Sequence, residues 1–119
     1  MATYDREQLR AKVLERLGVL DPAQATSAED AATVDQAVQT TLEDLYEDGL
    51  IPFDVDTDAI PAAHYKALSK VVAYDLIEAF GIVGDRAVKL STGNDEGMRR
   101  LRSLKTAGYA GGVVRSEYF

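Results

Sequence analysis

Apolar residues recur three and four positions apart through most of this chain, and that spacing favours amphipathic helices that pack on one another. The first predicted helix covers residues 3–17 and is followed by Gly18, a residue suited to a left-handed C-cap. The second begins at residues 27–30, a capping box with Asp in place of Glu or Gln, and Gly49 ends it. Residues 50–61 contain two prolines and predict a loop or a short strand.

The third predicted helix begins at Pro61, whose missing N–H does no harm in the first turn of a helix. Its apolar stripe consists of Tyr65, Leu68, Val72, Leu76 and Phe80. Further apolar residues widen this surface, so we expect it to be the central, most buried helix. Beyond Gly81, a short helix is predicted to break at residues 91–94. Asn94 then caps a last helix that Gly108 ends.

The length of 119 residues and the hydrophobic content of 46% fit one domain that holds its core without metal or disulfide. The chain has no Cys, which excludes disulfides, thiol catalysis and zinc ribbons. We therefore expect an all-α fold, a small bundle of four to five helices over residues 1–108. Residues 109–119 are predicted to form an extended C-terminal tail, with a glycine hinge at residues 111–112.

Charge is distributed unevenly along the chain, whose formal net charge is −7. There is no Lys or Arg between Arg16 and Lys66, a stretch that contains 11 acidic residues. Residues 86–115 have the reverse bias, with seven basic residues and two acidic ones. The chain is therefore bipolar, and its overall acidity argues against a dedicated duplex-DNA binder.

Two features have the residue types of a reactive or metal-binding site but lack the rest of its pattern. The aspartates of residues 54–58 have the spacing of a calcium loop, yet Ala59 and Tyr65 occupy the positions where an EF-hand has Gly and Glu. His64 is the only histidine, so a zinc site or a catalytic dyad would have to be built around one imidazole. We predict that the protein is not an enzyme and needs no metal or cofactor.

No segment of the sequence has the length and composition of a membrane anchor or an export signal. The longest stretch without a charged residue covers residues 106–114, about half the length of a membrane-spanning helix. The N-terminal residues include acids where a secretory signal has basic residues. We therefore predict that the protein has no membrane partner and acts where it is made.

The order of the capping and apolar signals resembles that of a known family. The succession consists of Leu17-Gly18-Val-Leu, Ser27-Ala-Glu-Asp30, Leu45-Tyr46 before Gly49-Leu50, Ile60-Pro61, Ala79-Phe80-Gly81 and a basic helix with Arg99-Arg100-Leu101. Over about residues 8–107 it is similar to the head-to-tail adaptor, or head-completion, proteins of tailed bacteriophages. The chain departs from them in having Tyr46 and no Trp near the end of the second helix, and in the break predicted at residues 91–94.

The resemblance implies a structural virion protein without catalytic activity. It implies a homo-oligomeric ring, most often of twelve subunits, that docks on the portal protein, joins the phage head to the tail and helps to retain packaged DNA. The implied partners are the portal, neighbouring copies, downstream tail or nozzle proteins and, transiently and without sequence preference, the packaged DNA. The implied location is the head–tail junction of the virion, after synthesis in the cytoplasm of the bacterial host.

The uneven charge and the apolar tail suggest where such contacts lie. A ring needs a patch that meets a different patch on the neighbouring subunit. The predicted subunit-contact residues are Glu43, Glu47, Arg99, Arg100, Arg102 and Lys105. The predicted portal-binding residues of the tail are Val113, Val114, Arg115, Tyr118 and Phe119. Alternatively, the tail folds back on its own bundle as a lid.

A second class of function fits the same composition. A small helical regulator that binds a protein partner or nucleic acid, as a monomer or dimer, would also be acidic overall with one basic helix. The mass of the assembled particle distinguishes the adaptor hypothesis from the regulator hypothesis, because a ring of twelve chains of 12.9 kDa is far heavier than a dimer.

Overall fold

Four helices and one pair of two-residue strands make up residues 2–18 and 27–113, the part of the chain that the computed structural model describes. The elements are β1 (Thr3–Tyr4), α1 (Arg6–Leu17), α2 (Ala28–Glu47), β2 (Ile60–Pro61), α3 (Ala62–Asp75) and α4 (Gly84–Val113). The all-α helical bundle predicted from the sequence is confirmed.

The start of α1 differs from its prediction because the first residues form a strand. Thr3 and Tyr4 of β1 pair antiparallel with Pro61 and Ile60 of β2. Asp5 then caps the helix in a capping box, in which the N–H of Gln8 donates to the Asp5 carboxylate at 2.7 Å and the N–H of Asp5 donates to the Gln8 side chain at 2.9 Å. Helix one therefore begins at residue 6 and not at residue 3.

Both predicted cap positions around the first two helices are confirmed. Gly18 follows α1 in the left-handed conformation, with φ of 76°, and its N–H donates to carbonyls of the last turn. At the start of α2 the N–H of Asp30 donates to the Ser27 hydroxyl at 3.2 Å. The chain turns after α2 at Gly49, where φ is 73°.

Helix α3 is the centre of the bundle, as predicted. It contacts α1, α2 and α4 as well as both strands, and Leu68, Val72 and Ala73 on it are completely buried. The predicted extension of this helix to Phe80 is wrong, because α3 ends at Asp75. Residues 76–81 continue as hydrogen-bonded turns that lead to Gly81, whose φ of 64° reverses the chain toward α4.

Helix α4 is one uninterrupted element, so the break predicted at residues 91–94 and the cap at Asn94 are wrong. The stop predicted at Gly108 and the hinge at residues 111–112 are wrong as well, since the helical backbone continues to residue 113. Packing against α3 supports a continuous α4, because Lys70 of α3 lies beside Gly93 and Ala67 lies beside Gly97. A Cβ atom at Gly97 would lie 2.9 Å from the Ala67 carbonyl oxygen, so this glycine lets α4 approach the backbone of α3.

One apolar core joins all four helices. Its residues include Leu9, Val13, Leu14 and Leu17 of α1, Val34, Val38, Leu42 and Leu45 of α2, Leu68, Val71 and Val72 of α3, and Leu90 and Leu101 of α4. The apolar residues that recur along α1 and α2 are buried in this core, which confirms the helical periodicity on which the fold prediction depended. Among the helices described, none combines the length and the apolar character needed to cross a membrane.

Candidate interaction surfaces

The C-terminal half of α2 and its C-cap residue present an acidic surface to solvent. Its members are Glu43, Asp44, Glu47 and Asp48, all exposed, and we call them the α2 acidic surface. Leu42 and Leu45 point the opposite way into the core, which fixes the orientation of the helix. In the part of the chain that the structure describes, the ion pairs are Arg10 with Asp35 and Lys70 with Glu96, so none of these four acids has an intramolecular ion pair there.

The basic residues predicted on the last helix are all exposed, but they do not form one patch. Arg100 lines a groove with residues of α3, whereas Arg99 and Arg102 line a different groove. Lys105 is separate again, since a Cβ atom at Gly49 would lie 3.4 Å from its Nζ. The lysine is therefore near the C-terminal end of α2, where the helix dipole favours a cation.

The groove that contains Arg100 is lined mainly by basic side chains. It consists of two adjoining cavities of about 390 Å³ and about 200 Å³, and Lys70 lines both. Its basic residues are Arg16, Lys66, Lys70, Arg86, Lys89 and Arg100, and we call it the basic groove. Its uncharged lining, which we call the floor, consists of Ala62, Ala63, Ala67, Leu90, Gly93 and Gly97. Glu96 is the one acidic residue of its lining.

Helical geometry brings these residues together from three elements. On α4, Arg86, Lys89 and Arg100 are spaced so that they fall on the side that also presents the two floor glycines. On α3, Lys66 and Lys70 are one turn apart. The Lys70 ammonium lies 3.3 Å from the Glu96 carboxylate across the groove.

Arg16 is held at the edge of the basic groove by α3. Its Nε donates to the Ser69 hydroxyl at 2.8 Å, and that hydroxyl donates to the Lys66 carbonyl at 2.6 Å. Burial lowers the pKa of Arg16 from its ordinary value, but a guanidinium stays protonated throughout the physiological range. Arg16 therefore contributes a fixed positive charge.

Arg86 ties the start of α4 to the end of α1. Its Nη1 donates to the Arg16 carbonyl at 3.2 Å, and its guanidinium covers Gly18 so closely that a Cβ atom there would lie 2.8 Å from Cζ. Two features therefore favour glycine at position 18: its left-handed backbone conformation and the close approach of the Arg86 side chain. This contact sets the position of one end of the basic groove.

The second groove has charges of both signs. It is a cavity of about 660 Å³ on the other side of the α3–α4 contact, and the exposed ring of Tyr74 lies in its wall. Its lining consists of Val71, Tyr74, Asp75, Asn94, Asp95, Met98, Arg99 and Arg102. Two carboxylates and two guanidiniums oppose one another there, so this groove selects no sign of charge.

His64, the one histidine, is a buried residue of the first turn of α3. Its ring is nearly perpendicular to that of Phe53, with centroids 5.3 Å apart, and its Nδ1 is buried without a hydrogen-bond partner in the described residues. Burial lowers the pKa of His64, and the positive charge of Arg100 lowers it further. The described residues contain no group of three metal-ligating side chains around it or elsewhere.

The lowered pKa of His64 predicts an acid-sensitive fold. The unfolded chain binds a proton at His64 near pH 6.5, while the folded chain binds it only at lower pH, so stability falls as the pH drops through that window. We expect His64→Leu to remove this part of the pH dependence, which is at most about 1.4 kcal/mol per pH unit. Urea unfolding of both chains from pH 7.5 to about 5.5 measures it. Parallel curves for the two chains would contradict the burial of a neutral imidazole.

The aspartates of the predicted calcium-like spacing support the loop between α2 and α3. The Asp58 carboxylate accepts from the backbone N–H of Arg6 at 2.8 Å, and the Asp54 carboxylate accepts from the N–H of Asp56 at 3.0 Å. The Arg6 side chain donates to the carbonyls of Thr57 and Val55. Arg6 therefore ties residues 55–58 of the loop to the start of α1.

Most of the predicted portal-binding tail lies outside the described residues. Val113 is the last residue of α4, whereas Val114, Arg115, Tyr118 and Phe119 come after it. Their role stays a prediction from the sequence.

Comparisons of the chain with protein-family models, with curated proteins and with solved structures find no match. The α2 acidic surface and the basic groove are therefore the features from which a function is assigned.

Proposed function

We propose that this chain is a structural adaptor of a tailed bacteriophage, which forms a ring under the portal and joins the head to the tail. The observation that carries the proposal is the presence, on one helical bundle, of the exposed α2 acidic surface and of a separate basic groove. Two different complementary patches on one chain favour head-to-tail contacts, and such contacts close into rings when the rotation fits.

The resemblance of the sequence to the adaptor family is the reason for assigning the ring to the head–tail junction of a phage. An uninterrupted α4 removes the departure from the family pattern that the sequence suggested at residues 91–94. In this proposal the ring has about twelve subunits, docks on the portal, contacts the next tail or nozzle protein and performs no catalysis.

A ring of chains with net charge −7 presents many carboxylates to its channel. We expect DNA to pass through such a channel without binding tightly to its lining, because the carboxylates repel the phosphates and the scattered arginines make only weak contacts to them. Contact with packaged DNA is then transient and independent of sequence. The ring helps to retain DNA by closing the portal exit together with the proteins below it.

In the proposed ring, residues 113–119 contribute most of the portal contact. Aromatic side chains such as Tyr118 and Phe119 are frequent anchors of protein interfaces. We expect deletion of residues 113–119 to leave the helical circular dichroism and the melting temperature nearly unchanged and to abolish co-sedimentation with the portal protein of the same virus. The full chain is the positive control.

Two results would count against this placement of the portal contact. A truncated chain that still co-sediments with the portal puts the contact on the helices. A truncated chain that melts several degrees lower but docks normally makes the tail a lid of the bundle, the alternative that the sequence left open.

The basic groove also keeps the second functional class open, a helical regulator that binds nucleic acid or an acidic protein. Such a regulator would bind its partner as a monomer or dimer. Nanomolar, sequence-selective binding to duplex DNA at physiological salt would favour it over the adaptor.

A further inference from the structure

We propose that the basic groove is the receptor for the α2 acidic surface of a second copy of this chain. The inference rests on the proposed ring and specifies its subunit contact. In place of a general attraction between the acidic and basic halves of two chains, it names the groove on one subunit and the helix face on the next. It also separates the predicted contact residues, because it assigns Arg100 to the subunit contact and leaves Arg99 and Arg102 outside it.

Charge is the first argument for a second copy as the occupant. The groove has six basic residues and one acidic residue, Glu96, which forms an ion pair with Lys70. The α2 acidic surface has four exposed acids, and α2 contains no Lys or Arg. Neither set is neutralised by the other within one chain, since the ion pairs of the described residues are Arg10 with Asp35 and Lys70 with Glu96.

Spacing is the second argument. Glu43 and Glu47 are one helical turn apart, and so are Lys66 and Lys70 on the wall of the groove. A helix that lies along the groove can therefore place successive carboxylates beside successive ammonium groups. The opposite wall supplies Arg100 from α4.

The shape of the groove also suits a helix. Alanines and glycines line its floor, so a partner backbone can come close before side chains collide. The basic side chains reach past that floor with long stems, which can cover the apolar parts of an incoming helix. The second groove lacks this selectivity because Asp75 and Asp95 lie beside its two arginines.

The test compares two variants with the same change in charge. Lys66→Glu with Arg100→Glu alters the basic groove, and Arg99→Glu with Arg102→Glu alters the second groove, and all four residues are exposed. Sedimentation velocity at about 50 mM salt, where surface charges are least screened, measures self-association without portal. We expect the basic-groove variant to lose affinity about tenfold or more and the matched variant to change it by about threefold or less. Circular dichroism melting checks that both variants fold.

A charge swap provides the second arm. Glu43→Lys with Glu47→Lys should weaken self-association on its own. Combined with the basic-groove substitutions, it should restore self-association, because the pairs are re-formed with reversed signs and the net charge returns to that of the original chain. Raising the salt to about 500 mM should weaken every associating form.

Three outcomes would overturn the inference. The first is a wild-type chain that stays monomeric at about 50 mM salt and about 1 mM protein, a regime in which a few surface ion pairs give measurable binding. The second is stronger loss of association in the Arg99, Arg102 variant than in the basic-groove variant. The third is unchanged association of the basic-groove variant together with loss of binding to a short DNA duplex, which would assign the groove to phosphates. Failure to bind portal with intact groove-dependent association would instead contradict the proposed function alone.

Discussion

Leu101→Ala should lower the free energy of unfolding by about 2–5 kcal/mol, the range for a leucine removed from a close-packed core. Leu101 has no exposed surface and seats α4 in the core. Truncation removes its buried methyl groups and leaves a cavity. The helices pack against one another along their length, so they cannot easily move together to fill it. Urea unfolding measured by circular dichroism gives the change.

Val88→Ala on the same helix is the matched control. The Val88 side chain is 65% exposed, so its truncation loses little packing, and alanine has the higher helix propensity. We expect a change within about 0.5 kcal/mol. Equal effects at Leu101 and Val88 would mean that α4 does not pack as described.

Gly97→Ala should destabilise the protein, although alanine is the better helix former. A Cβ atom at this position would lie 2.9 Å from the Ala67 carbonyl oxygen and 3.1 Å from Cγ2 of Val71, so α3 and α4 must move apart. Overpacking of this kind costs about 1–3 kcal/mol, while the gain in helix propensity is about 1 kcal/mol. The expected net loss is therefore up to about 2 kcal/mol.

Gly93→Ala, one helical turn earlier, should have the opposite sign. Its Cβ atom would lie 3.9 Å from Cγ of Lys70, an ordinary van der Waals distance, so only the propensity gain of up to about 1 kcal/mol remains. Thermal melts of the two variants beside the original chain provide the measurement. A stabilised Gly97→Ala variant would show that the two helices are further apart than described.

The helix boundaries that the sequence could predict are those set by local chemistry. Gly18 and Ser27 act on their own neighbours, so the ends of α1 and α2 follow from the residues themselves. The prediction of a break at residues 91–94 was wrong because a glycine in the sequence is compatible with two structures, the end of a helix and a close contact between two helices. In α4, Gly97 allows a close approach to the backbone of α3, and the packing of α4 on α3 outweighs the low helix propensity of Gly93 and Gly97.

The candidate site was predictable only in part, for a related reason. The sequence indicated that residues on the last helix are basic, and Arg100 is indeed part of the basic groove. Arg16, Lys66 and Lys70 come from other helices, and only the packing of α1, α3 and α4 brings them beside it. A pattern read along one helix cannot contain this information.

The N-terminal strand was missed because it depends on a distant partner. Thr3 and Tyr4 are too few to give a strand pattern, and their pairing with β2 is supported by stacking of Tyr4 on Tyr65, with ring centroids 4.0 Å apart. The Tyr65 hydroxyl donates to the Gln8 carbonyl at 3.0 Å, which links the same region to α1. Burial raises the pKa of Tyr65 from an ordinary value that already keeps the phenol protonated at neutral pH.

The most direct test of the proposed function is sedimentation velocity of the full chain with the portal protein of the phage to which the proposal assigns it. The adaptor reading predicts a discrete complex in which the portal gains about twelve chains of 12.9 kDa, or roughly 155 kDa, and in which no intermediate between free and fully occupied portal accumulates. A chain that sediments as a monomer or dimer of its own in the presence of excess portal would contradict that reading.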